Sequence, residues 1–180
     1  MEEYLALEKS SDERYEYWDG QVFCMSGGSQ AHGYIGDNVF RNLGNQLAGG
    51  NCRAMSSAIP VKTFLVPPYK YPDGSVACGE PIFEKIDHIA VLTNPILIVE
   101  VLSPTTERID RGPKFTIYKA IPSFKEYLLI AQDKARIIQF VKQDDGEWKP
   151  DEVTGLDGSI YLPSIDCTLA LSDVYQDVKL

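Results

Sequence analysis

The chain has 180 residues, of which 44% are hydrophobic and 24% charged, a composition typical of one globular domain with a sizeable core. We therefore expect a single domain over residues 1–180. A formal net charge of -9 at pH 7 argues against non-specific nucleic-acid binding over the whole surface. No segment is long and apolar enough to predict a membrane span.

The cysteines and the first residues predict a cytoplasmic protein. The four cysteines lie far apart in the sequence: Cys24, Cys52, Cys78 and Cys167. They form no Cys-x-x-Cys pair, so they do not predict a zinc site, and we expect free, buried thiols in a reducing cytoplasm. The first four residues are acidic and lack a secretory signal pattern.

The first part of the chain predicts a short helix followed by a hairpin. Residues 3–10 are expected to be helical. Residues 14–18 alternate in polarity and meet Asp19-Gly20, a strong hairpin turn signal, so residues 21–25 should pair back as a second strand. A glycine-rich connection follows, without the Gly-x-x-x-x-Gly-Lys pattern of a phosphate-binding loop.

Residues 31–48 are predicted to be the longest helix. Its buried stripe consists of apolar residues four apart: Ile35, Val39, Leu43 and Leu47. Ser29 is a candidate N-cap, and Gly49-Gly50 ends the helix. His32 lies in the first turn, where a histidine serves either as a helix-start residue or as a catalytic or binding group.

Several short strands are expected next. Residues 52–57 and 61–66 are separated by Pro60, and residues 75–78 follow Pro72-Asp73-Gly74. Pro-Asp-Gly is a standard turn sequence, so Asp73 alone indicates a turn. Residues 80–94 are expected to be a polar connection, with residues 86–91 partly ordered.

A near-continuous apolar run over residues 96–102 predicts a strand covered on both faces. Glu100 interrupts this run. A carboxylate in an apolar site is costly unless it is paired or binds a cation. Glu100 is therefore either a metal ligand or an exposed or salt-bridged residue at a strand end.

A polar loop leads to Gly112-Pro113, which we expect to open a helix that stops at Pro122. On this helix one stripe repeats at helical spacing: Lys114, Ile117, Tyr118 and Ile121. Lys114 is therefore expected to point toward the sheet, although a lysine at a helix start can also extend to solvent. Residues 125–130 return as a strand, which predicts a right-handed crossover and a parallel strand pair.

The last part of the chain is predicted to form antiparallel strands. Residues 136–141 form a strand joined to the previous one through Asp133-Lys134, and Asp144-Asp145-Gly146 makes the next turn. Trp148 and residues 160–162 suggest further strands. Residues 169–174 are expected to form a short turn or helix.

Asp73 and Glu100 meet if their strands are neighbours. Two carboxylates that close repel by about 4 kcal/mol at moderate dielectric. A divalent cation removes that cost, and all-oxygen ligation suits Mg²⁺ or Mn²⁺. Lys114 from the next helix could orient or help deprotonate an attacking water, which indicates metal-assisted phosphodiester hydrolysis.

The same residues resemble the PD-(D/E)XK nuclease superfamily, and more closely a restriction-endonuclease branch numerous in photosynthetic bacteria. The matching residues span most of the chain: Arg14-Tyr15-Glu16, His32, Pro72-Asp73, residues 99–104, Asp110, Lys114, Tyr118 and Glu126-Tyr127. This resemblance implies an α/β (α+β) restriction-endonuclease-like core, a mixed central sheet flanked by helices. It also implies Asp73, Glu100 and Val101 as metal-binding positions, Lys114 as a catalytic residue, and Glu16 and His32 as further metal or water contacts. The superfamily's usual lysine position is Leu102 here, and Lys114 is the relocated match.

Three functions remain open at this point. The first is a Mg²⁺- or Mn²⁺-dependent DNA endonuclease. The second is a non-catalytic DNA-binding or assembly protein on the same fold, which Leu102 and the negative net charge favour. The third is another small-substrate metal hydrolase, because fold does not fix function. DNA is the expected partner, a homodimer is expected because cutting two strands needs two sites, and a partner protein is not identifiable.

Overall fold

The main sheet of the fold is mixed and has six strands, and the candidate residues lie near one end of its strands. The computed structural model describes residues 2–11, 13–18, 20–24, 28–64 and 68–180. Within them the helical elements are α1 (Glu2–Ser10), α2 (Gln30–Gln46), α3 (Glu107–Ile109), a π-helical segment (Asp110–Lys114), α4 (Phe115–Lys119) and α5 (Leu171–Val174). The strands are β1 (Tyr15–Trp18), β2 (Gln21–Cys24), β3 (Cys52–Ser56), β4 (Val61–Lys62), β5 (Tyr69–Lys70), β6 (Gly74–Cys78), β7 (Phe83–Ile86), β8 (Ile89–Leu92), β9 (Leu97–Leu102), β10 (Glu126–Ala131), β11 (Arg136–Lys142), β12 (Trp148–Thr154), β13 (Ser159–Leu162) and β14 (Cys167–Ala170).

The strand order of the main sheet is β12-β11-β10-β9-β6-β3. β9 and β10 are parallel, as the crossover predicts, and the other neighbouring pairs are antiparallel. The helical stretch from α3 to α4 is the connection between β9 and β10. The sheet is therefore mixed and flanked by helices, which confirms the expected fold class. β6 and β9 are neighbours, which was the condition for bringing Asp73 toward Glu100.

Alternating side chains of β9 build two separate cores. Leu97, Val99 and Val101 pack on the face covered by α2, whereas Ile98 and Leu102 pack with α4 on the other face. Every residue of β9 is buried. Burial on both faces explains why the strand reads as a continuous apolar run.

The helix after β9 begins earlier than predicted. It starts at Glu107, and Gly112-Pro113 lies inside it rather than at its start. Pro113 has no N–H, so the carbonyl four residues before it loses its α-helical donor. The chain accommodates this loss as a π-helical turn, and the Tyr127 hydroxyl donates to the Asp110 carbonyl at 3.0 Å.

Residues 80–94 were wrongly expected to be a polar connection. They contain the hairpin β7–β8, in which Ile86 faces Ile89 across a two-residue turn. Asp87 occupies a positive φ of 53° in this turn, a conformation that aspartate tolerates in tight hairpins. β5 and β14 are further strands that the sequence did not predict. The predicted turn residue 19, the strand-end residue 25 and residues 65–66 lie outside the described residues.

The expectation of four free thiols is wrong for two cysteines. β3 and β6 are antiparallel, their register places Cys52 opposite Cys78, and the two form a disulfide. Cys24 and Cys167 are not part of this disulfide, and Cys24 is exposed whereas Cys167 is buried. Sequence separation alone did not show this pairing, because it follows from strand register. Among the described residues, no helix has the length and hydrophobicity needed to cross a membrane.

Candidate active site

One cavity of about 390 Å³ opens where β6 begins and β9 ends. It is lined by the six residues that were predicted to be catalytic or metal-binding: Glu16, His32, Asp73, Glu100, Val101 and Lys114. These residues come from β1, α2, the segment before β6, β9 and the helix after it. The structure therefore brings the candidate residues together, although their chemical roles remain a prediction.

Asp73 lies at a bend that turns its carboxylate toward β9. The last backbone pair of β6 and β9 joins Gly74 to Val99. Two residues further, the Val101 N–H points to the same side but finds no strand opposite it. It donates instead to Asp73 Oδ2 at 2.7 Å, and His32 Nε2 lies 3.3 Å from the same oxygen. The Asp73 side chain therefore connects the turn before β6 to β9 and to α2.

Glu100 and Lys114 form a buried ion pair. The side chain of Glu100 lies on the sheet face that packs against α4, and Lys114 Nζ approaches its Oε1 to 2.7 Å. Only 2% of Glu100 and 3% of Lys114 are exposed. The Tyr118 hydroxyl donates to the same carboxylate oxygen at 2.9 Å. The prediction that Lys114 points inward is confirmed, and Glu100 is salt-bridged but buried.

Two more acids surround Lys114. Glu16 Oε1 and Asp110 Oδ1 each lie 3.6 Å from its Nζ. Glu16 is fixed by two donors, the Tyr71 backbone N–H at 2.9 Å and the Trp18 indole N–H at 2.9 Å. The β1–β2 hairpin is thereby attached to the site end of the main sheet.

The site holds more negative than positive groups. Four carboxylates, those of Glu16, Asp73, Glu100 and Asp110, face the cations of Lys114 and, when protonated, His32. Burial raises the pKa of Glu100 well above its usual value, and the neighbouring acids raise it further, while Lys114 acts in the opposite direction. Burial also raises the pKa of Asp110. An extra positive charge would therefore stabilise this cluster.

The neighbouring acids favour the charged forms of Lys114 and His32. Burial alone would lower the pKa of Lys114, but the charges of Glu100, Glu16 and Asp110 raise it well above its ordinary value. The hydrogen bond to Asp73 raises the pKa of His32 against the opposing effect of burial. A protonated Lys114 can orient a water or stabilise negative charge, whereas deprotonating a water is not favoured.

The donor set fits a hard divalent cation. Asp73 and Glu100 each supply a carboxylate, and Val101 can contribute only its backbone carbonyl. In the described part of the chain, no group of three or more His, Cys, Asp or Glu side chains is placed to hold a metal ion. Mg²⁺ does not need such a cage, because it binds through one or two carboxylates, keeps several waters and completes its shell with substrate oxygens.

Asp110, Trp18 and Phe23 are lining residues whose place in the cavity was not predicted from the sequence. Asp110 precedes Lys114 by four residues, so the helical spacing could have indicated it as an ion-pair partner. Trp18 and Phe23 also line the cavity, and only the hairpin register places them there.

Comparisons with known proteins identify the family and similar chains. A family model described as "Uma2: Putative restriction endonuclease" matches residues 1–172. The chain is 37% identical to the uncharacterized protein slr1290 of Synechocystis sp. (strain ATCC 27184 / PCC 6803 / Kazusa) over 175 residues, 97% of this chain and 90% of that one. It is 33% identical over 158 residues to a second protein of that strain, the uncharacterized protein sll1609, over 88% of this chain and 89% of that one.

A solved structure shares the fold. It is the crystal structure of "a putative nuclease belonging to DUF820 from Anabaena variabilis ATCC 29413". The TM-score is 0.76 at 17% sequence identity, covering 99% of this chain and 98% of that chain. At this identity the likeness shows a common fold.

Proposed function

Because the chain belongs to the Uma2 family, described as putative restriction endonuclease, we propose that it is a Mg²⁺- or Mn²⁺-dependent nuclease that hydrolyses phosphodiester bonds in DNA. The observation that carries this proposal is the buried acid excess around Lys114. Among the described residues that line the cavity, four carboxylates face two basic side chains. Four acids that share two bases leave an excess of negative charge in the site, which is costly where water is scarce, and a divalent cation offsets that cost.

Asp73, Glu100 and the Val101 carbonyl would hold the cation. When bound, it would lower the pKa of a coordinated water and neutralise charge on the phosphodiester. The Val101 N–H and His32 both contact Asp73 Oδ2, which fixes the orientation of this carboxylate. Tyr118 does the same for Glu100. Removing a group that orients a metal ligand typically lowers the metal affinity by roughly 10- to 100-fold.

Lys114 acts as a fixed cation beside the reacting phosphate. Its ammonium touches Glu100 and faces the cavity that holds the other candidate residues. From there it can donate to a phosphate oxygen or to the attacking water, where a preorganised charge in a water-poor site contributes most. Removing such a donor typically lowers the rate by about 10²- to 10³-fold.

A non-catalytic DNA-binding or assembly protein is the second candidate. Leu102 favours it, because this residue stands where the superfamily usually has its lysine. Leu102 is 4% exposed and packs in the apolar core under α4, so it offers no polar group to the site. The two candidates differ in whether Lys114 replaces the missing lysine in function.

Incubation of supercoiled plasmid and oligonucleotides with purified protein and Mg²⁺ or Mn²⁺ tests the proposal. We expect metal-dependent cleavage that Glu100→Gln and Lys114→Met each reduce by at least about 100-fold. Glu152→Gln is the matched control, because Glu152 is a carboxylate in an exposed ion pair with Arg136. Cleavage that survives both site substitutions contradicts the assignment. Metal binding without any cleavage supports the non-catalytic candidate.

A homodimer is part of the proposal for duplex substrates. Cutting both strands requires two sites, and two-fold pairs are the commonest way to supply them. Light scattering of the purified protein, with and without DNA, measures the assembly. A monomer that nicks only one strand would remove this part of the proposal.

A further inference from the structure

One wall of the cavity is aromatic. In the β1–β2 hairpin, Glu16 faces Phe23 directly, and Trp18 lies two residues beyond Glu16 on the same face of the hairpin. Both rings line the cavity that contains Asp73 and Glu100. We call Trp18 and Phe23 the aromatic wall.

The aromatic wall is not packed as a core. Phe23 is 40% exposed, and every residue of β2 is exposed. Trp18, in contrast, is held firmly: its indole N–H donates to Glu16 Oε2, and Lys70 Nζ lies 3.6 Å from the centre of its ring. Lys70 is itself anchored by donating to the Tyr17 carbonyl at 2.7 Å. A fixed ring beside an accessible one forms a surface for flat, apolar groups.

Charge around the cavity disfavours an intact duplex. Among the described residues that line it, Lys114 is the one lysine or arginine, and acids already surround this side chain. Duplex binding depends on neutralising phosphates of both strands with several basic side chains. An unpaired nucleotide can instead be held through its base, because stacking on aromatic rings contributes strongly for any base.

We infer that the aromatic wall stacks an unpaired base next to the scissile phosphate, so that the site takes single-stranded DNA in preference to intact duplex. This inference rests on the proposed nuclease function and names its substrate class. The cavity has a volume of about 390 Å³, which lies in the range of pockets that enclose a small-molecule ligand. The acids and Lys114 then face the phosphate while the wall holds the base.

Trp18 itself can report the contact. The protein has two tryptophans, and Trp148 packs against Phe115 and Phe124 in the core. In a Trp148→Phe background, the fluorescence of Trp18 is titrated with a single-stranded oligonucleotide, its duplex and an abasic strand of equal length. Ca²⁺ replaces Mg²⁺ as an oxygen-binding cation during binding. We expect saturable quenching by the single strand, much weaker quenching by the duplex, and none by the abasic strand.

Phe23→Ala, in the same background, is expected to weaken single-strand binding by at least about fivefold, the lower end for loss of one stacked base. Phe83→Ala is the matched control, because Phe83 is 46% exposed on β7 and does not line the cavity. Equal binding of duplex and single strand, quenching by the abasic strand, or equal behaviour of the two alanine variants would overturn the inference.

These readouts do not require cleavage, so the two proposals can fail separately. Cleavage that depends on Glu100, combined with a failed stacking test, removes the inference and leaves the nuclease. Stacking as expected without cleavage of any DNA removes the nuclease and leaves a site for unpaired DNA.

Discussion

Replacing Lys114 with methionine tests the buried ion pair at the centre of the site. Methionine fills a similar volume but carries no charge. In the described part of the chain, Glu100 would keep one donor, the Tyr118 hydroxyl at 2.9 Å, and would lose the ammonium at 2.7 Å. The acids that share Lys114 would lose the same neighbour.

The expected cost follows from burial. Both partners are almost fully inaccessible, and removing one partner of such a pair typically costs about 3–5 kcal/mol, because the other charge stays buried. Native domains have a total stability of roughly 5–15 kcal/mol. At about 2–4 °C per kcal/mol for a domain of this size, the melting temperature should fall by roughly 6–20 °C.

Thermal and urea unfolding in the presence of EDTA measure this loss without metal. The double variant Lys114→Met, Glu100→Gln also removes the Glu100 charge that Lys114→Met leaves buried without its ion-pair partner. It should therefore be about 2 kcal/mol more stable than Lys114→Met alone. Arg136→Met breaks the exposed pair with Glu152 and should unfold close to the wild type. A Lys114→Met variant as stable as Arg136→Met, or strict additivity in the double variant, would refute the reasoning.

Three further outcomes are expected. Tyr118→Phe removes a buried donor to Glu100 and should cost about 1.5–3 kcal/mol in urea unfolding; no loss would contradict the hydrogen bond. Burial raises the pKa of Glu126 above 4.5, so the folded state holds its proton more tightly, and wild type should lose stability relative to Glu126→Gln as the pH rises from 4.5 through the folded-state value. Unfolding at a series of pH values checks this sign, and a relative gain for wild type would contradict it. Thiol titration without reductant should label Cys24 in the native protein, Cys167 only after denaturation, and four cysteines after reduction; four labelled before reduction would exclude the disulfide.

The sequence predicted the elements whose side chains follow a clear period. The apolar run of β9 and the stripe containing Lys114 and Tyr118 each indicated both an element and the direction of its side chains. The parallel pair β9–β10 followed from the same reasoning. The β6–β9 pairing entered only as the condition under which Asp73 and Glu100 meet, so the sequence predicted the placement of Glu100 and Lys114 and left that of Asp73 conditional.

The rest depends on tertiary contacts that carry no local period. Pro113 normally marks a helix start, but here a π-helical turn contains it and the helix continues past it. The hairpin turn at Asp87 is two residues long and lies in a polar segment that resembles a loop. Trp18 and Phe23 reach the cavity through a hairpin that contacts of Glu16 with Tyr71 and of Lys70 with Tyr17 attach to the rest of the protein.

The proposed function requires that the acid cluster at the end of β9 holds a divalent cation. Isothermal titration of the purified protein with Mn²⁺ and Mg²⁺ measures this directly. We expect binding in wild type, strong loss of affinity in Asp73→Asn and Glu100→Gln, and unchanged affinity in Glu152→Gln. Wild-type protein that binds neither ion at millimolar concentration, or binding that both site variants retain in full, would contradict the claim.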